Sequence, residues 1–60
     1  MTLVIKKSGN FWALYKGDST AFYIYKSENL DQCVTEGKKL SVLLKLPLIV
    51  KEVGGIRKVT

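Results

Sequence analysis

Tyr15, Tyr23 and Tyr25, with Lys16 and Lys26 beside them, are the residues of this 60-residue chain whose types and spacing could do chemistry. That chemistry would be recognition. Aromatic rings on a sheet among ammonium groups can stack nucleic-acid bases and hold the phosphates between them. The same rings, with few charges between them, also suit a protein–protein contact. A third reading needs no partner: cross-strand aromatic pairs that stiffen a thin sheet.

Catalysis finds less support. Histidine is absent, which removes the commonest general base and the commonest transition-metal ligand. Cys33 alone cannot assemble a zinc set. The carboxylates are Asp18, Glu28, Asp31, Glu36 and Glu52. Glu28 and Asp31 stand three apart and could approach each other on a helix, but first-turn positions near the positive end of the helix dipole explain them. Gly17-Asp18-Ser19 offers a serine with no histidine to activate it, and turn chemistry accounts for all three residues. Gly54-Gly55 lacks the frame of a phosphate cradle. The expectation is a non-enzyme that needs no metal and no cofactor.

Composition sets the scale. With 47% hydrophobic and 25% charged residues, the chain reads as one folded domain over residues 1–60. A chain of this size buries only about 60% of its unfolded surface. The single cysteine excludes an internal disulfide and falls on an apolar helix face, where a buried, inert thiol is expected. No uncharged apolar run approaches the ~20 residues that span a bilayer. Lys6 and Lys7 follow the first apolar residues instead of preceding them, unlike a signal peptide. A cytoplasmic protein is expected. The net charge of +5 permits a polyanionic partner, although the nine lysines are scattered and the one arginine is Arg57.

The elements that must position these residues centre on one helix. Leu30, Cys33, Val34, Gly37, Leu40 and Leu44 recur at helical spacing. Ser27 can serve as the N-cap, and Pro47 forces the stop, so helix is expected from Glu28 to about Leu44. Gly37 on the buried face suggests close approach of the helix to a strand or a partner backbone, or a small residue under an aromatic such as Trp12. Val42 and Leu43 widen the apolar band and are candidates for self-association.

Strands are expected at Thr2–Lys6, Phe11–Lys16, Ala21–Lys26, Leu48–Val53 and Ile56–Val59, with Gly54-Gly55 as a tight hairpin. Period two puts Trp12, Leu14, Phe22 and Ile24 under the helix, and Tyr15, Tyr23 and Tyr25 on the open face. The first strand and one of the last two are expected at the edges, guarded by Lys6, Lys7, Lys51 and Lys58. Arg57 and Lys58 would join the tyrosine face if the fifth strand lies alongside. The predicted order is β-β-β-α-β-β: an α+β fold, an antiparallel sheet of four to five strands with one helix on one face.

Trp12, the Ser27-to-Leu40 helix with its E-G-K-K-L ending, Leu48-Ile49-Val50 and Gly55-Ile56 together resemble the short bacterial and phage proteins of domain-of-unknown-function family 2188. The resemblance covers most of the chain. It implies the same strand and single-helix fold, and a bacterial cell or a phage-infected host. It implies no activity. More tyrosine and less arginine than that family's pattern set this chain apart.

The sequence therefore points to a small binding module. Its first reading is an accessory or regulatory protein that contacts another protein or a second copy of itself. The other is a nucleic-acid-binding module built on Tyr15, Tyr23, Tyr25, Lys16 and Lys26.

Overall fold

Two apolar triplets, Leu3-Val4-Ile5 and Leu48-Ile49-Val50, form the middle of the molecule. Continuous apolar runs suit strands covered on both sides, the usual setting of parallel pairing. In the computed structural model, which describes residues 1–17 and 23–60, β1 (Leu3–Ser8) and β4 (Leu48–Glu52) do pair in parallel, Leu3 beside Leu48 and Ile5 beside Val50. The remaining strands are β2 (Phe11–Lys16), β3 (Tyr25–Ser27) and β5 (Gly55–Lys58), each antiparallel to its neighbour. Their order across the sheet is β3-β2-β1-β4-β5.

The element order β-β-β-α-β-β and the single helix on one face are as the sequence indicates. Two expectations about the sheet are corrected. The sheet is mixed instead of wholly antiparallel, because the helix carries the chain back across the face to lay β4 beside β1. The first strand is central, and the edges are β3 and β5.

Helix α1 runs from Leu30 to Leu44. Its cap is Asn29, whose side chain accepts from the Asp31 amide, so the start lies two residues beyond the expected one. Ser27 instead braces the approach: its hydroxyl accepts from the Asn29 amide and donates to Gln32 Oε1 at 2.6 Å. Glu28 thus precedes the helix. At the far end Lys45 adopts a left-handed conformation (φ 56°), and its amide and that of Leu46 both donate to the Ser41 carbonyl. Pro47 follows and accepts from the Leu3 amide.

Cys33, Gly37 and Ser41, at i, i+4 and i+8, are the buried positions of α1. Small side chains there let the helix sit close to the sheet. The neighbour of Gly37 is Leu48, not Trp12. The core is Leu3, Ile5, Leu14, Cys33, Leu48 and Val50, all fully buried, ringed by half-buried Trp12, Tyr25, Leu30, Val34, Leu40, Leu46 and Val59.

Two hairpins close the sheet. Ser8 faces Phe11 across a Gly9-Asn10 turn whose glycine has φ 61°, a conformation that glycine adopts without strain. The second turn is Val53-Gly54, since Glu52 faces Gly55, one residue ahead of the expected Gly54-Gly55 pair. The Asp18-Ser19 part of the turn expected at Gly17-Asp18-Ser19, and Ala21 and Phe22 of the expected third strand, lie outside the described residues.

Candidate nucleic-acid interface

Registers assign every strand side chain to one of two faces, since paired residues share a face. On the helix face lie Leu3, Ile5, Trp12, Leu14, Tyr25, Leu48 and Val50. On the open face, one row crosses all five strands: Lys26, Ala13, Lys6, Lys51 and Ile56, each the partner of the next. A second row holds Tyr15, Val4, Ile49 and Lys58, and Phe11 faces Ser8 beyond the first.

The charges divide with the faces. In the described strands, every charged residue registered to the open face is a lysine: Lys6, Lys26, Lys51 and Lys58. The strand carboxylate, Glu52, belongs to the helix face, where its Oε1 lies 3.7 Å from the Arg57 guanidinium. Asp31 and Glu36 are on the helix itself. Lys6 and Lys51 stand on adjacent strands as direct partners. Strands lie about 4.8 Å apart, so two ammonium groups are rooted close together with no carboxylate in the row to offset them.

Aromatic rings flank that row. Lys26 Nζ lies 5.0 Å from the ring centroids of both Phe11 and Tyr23, and Lys6 Nζ lies 5.8 Å from that of Tyr15. These are cation–π distances.

Of the residues expected to bind, Tyr15, Tyr23 and Lys26 do gather on the open face. Tyr25 and Lys16 do not. Tyr25 pairs with Leu14 and packs against the core, bordering a shallow hollow with Asp31, Gln32, Thr35 and Glu36. Lys16 pairs with Leu3 and so falls on the helix side. The reason is local. Strand β3 begins only at Tyr25, and the Ile24 amide donates to the carbonyl of Leu14, the residue already opposite Tyr25. Alternation is broken there, so Tyr23 and Tyr25 do not share a face, and Ile24, expected under the helix, is 46% exposed.

Phe11 and Lys6 join this cluster although the sequence does not single them out for binding; Phe11 shares the parity of Tyr15 in β2. Arg57 is remote from the tyrosines because β5 is the opposite edge from β3. Lys58 also borders a groove that Asp31, Val34 and Lys38 line from the helix.

Elsewhere the structure supplies little chemistry. Cys33 is buried; its thiol donates to the Trp12 carbonyl at 3.2 Å, and desolvation raises its pKa, against a smaller lowering by the Ser27 amide. Among the described residues no group of three or more acidic, cysteine or histidine side chains could hold a metal ion, and no helix is long and apolar enough to cross a membrane. Compared with known proteins, the chain matches no family model, no curated protein and no solved structure.

Proposed function

We propose that this chain is a binding module whose open sheet face takes up a nucleic acid. The observation that carries the reading is the Lys26–Ala13–Lys6–Lys51 row, three lysines without a carboxylate, with aromatic rings alongside. Juxtaposed like charges cost stability in the free protein. A row of phosphates turns that cost into a gain, because each neutralised phosphate releases counterions. This reverses the order of preference drawn from the sequence, where the lysines look scattered; pairing across the sheet collects them.

The test is fluorescence anisotropy of a labelled single-stranded oligonucleotide over a series of salt concentrations. Affinity is expected to fall steeply with salt. Lys6→Ala and Lys26→Ala are each expected to reduce the log–log slope by about 0.7. Lys39→Ala, on the helix beside Glu36, serves as the control and leaves the slope in place. Binding that ignores both salt and the open-face substitutions overturns the reading.

A second reading rests on Val42 and Leu43, which are 78% and 75% exposed on the outer side of the helix. It makes the chain a partner of a second copy of itself. Sedimentation equilibrium decides it: a dimer that Val42→Lys dissolves supports self-association through this end, and a monomer removes it.

A further inference from the structure

The open face carries its aromatic rings already covered by its own lysines. Lys26 Nζ lies at the same 5.0 Å from two ring centroids, those of Phe11 and Tyr23. Lys6 Nζ stands over Tyr15 at 5.8 Å. Phe11 and Tyr23 are both exposed, so a planar ligand can reach them.

We propose that this face selects single-stranded over double-stranded nucleic acid by exchange: a base displaces the lysine from the ring, and the freed ammonium moves to the adjoining phosphate. The inference rests on the nucleic-acid reading above and deepens it. An exposed ring gains more from a stacked base than from an exposed ammonium, so the exchange is favourable. The displaced lysine loses nothing, since a phosphate replaces the ring as its partner. Only a single strand can complete the exchange. In a duplex the base faces are stacked on one another, so a duplex offers its phosphates and leaves the rings to the lysines.

The experiment compares an unstructured, labelled oligodeoxynucleotide of about 20 residues with the duplex it forms with its complement, at one low salt concentration. The wild-type protein is expected to bind the single strand about tenfold more tightly than the duplex. Phe11→Ala and Tyr23→Ala are each expected to weaken single-strand binding about five- to tenfold and to leave duplex binding unchanged. Both side chains are exposed, so the variants are expected to keep the fold, which circular dichroism checks. Equal affinity for the two forms, with both variants like wild type, overturns the exchange while leaving electrostatic binding in place. Binding of neither form overturns the inference together with the reading beneath it.

Discussion

A Cβ on Gly37 would lie 2.9 Å from Cδ2 and 3.0 Å from Cδ1 of Leu48, so the helix rests against that side chain with no room for a methyl group. Leu48 is fully buried at the start of a central strand and has little freedom to turn aside. Two effects oppose each other in Gly37→Ala. Helix propensity favours alanine by about 1 kcal/mol. Overpacking a filled core costs about 1–3 kcal/mol. The second is expected to win, leaving the variant about 1 kcal/mol less stable in urea denaturation. Leu48→Val in the same chain should recover part of the loss, giving a double-mutant coupling that independent sites would not show.

Ser41 ties three parts of the chain together. Its carbonyl accepts from the amides of Lys45 and Leu46, its hydroxyl donates to the Leu46 carbonyl, and the same oxygen meets the Thr60 hydroxyl at 2.8 Å. Ser41→Ala leaves the Leu46 carbonyl without its side-chain donor at a site that is largely buried. A loss of about 1–2 kcal/mol is expected in chemical denaturation. Thr60→Ala should cost less, because Ser41 retains its bond to Leu46.

The Cys33 thiol predicts a pH dependence whose sign can be worked out. Burial raises its pKa above the usual 9.0 in the folded protein. As pH rises through 9, the unfolded chain releases this proton first and so binds fewer protons than the folded one. By linkage, the thiol's contribution to stability is level below that range and falls through it. Denaturation midpoints of wild type and Cys33→Ala, measured from neutral to alkaline pH, should therefore converge as pH rises. A constant offset between them would exclude the thiol as the cause. The same burial predicts slow modification by thiol reagents in the folded state.

Much of this fold is legible in the sequence, and the misplacements have identifiable physical causes. The 3.6-residue period of Leu30, Cys33, Gly37, Leu40 and Leu44 locates the helix, and the aromatic run of β2 gives its two faces correctly. Three contiguous apolar residues in each of β1 and β4 are the mark of central, parallel strands; lysines further along β1 suggest an edge instead. Ser27 and Asn29 are both good capping residues, and only the backbone geometry distinguishes the cap from its brace. In the candidate site, alternation places Tyr15 correctly but fails across Tyr23–Tyr25, where an irregular hydrogen bond at Ile24 breaks the period. The lysine row has no linear signature at all. Lys6, Lys26 and Lys51 are far apart in sequence and meet only through pairing.

The Lys6–Lys51 pair makes stability and binding respond in opposite directions. The two residues are direct partners on adjacent strands, and like charges so placed repel by a few tenths of a kcal/mol at low salt. Lys51→Gln keeps a side chain of similar reach and removes one charge. It is expected to raise stability by about 0.2–0.5 kcal/mol in low-salt urea denaturation, with the gain shrinking as salt is added. The same substitution is expected to weaken oligonucleotide binding and to lower its salt slope by about 0.7. A lysine kept for solubility alone would have no reason to show both effects, since its removal would leave binding untouched. If stability rises while binding stays at the wild-type level, β4 lies outside the interface and the contact is confined to the β1–β3 half of the sheet.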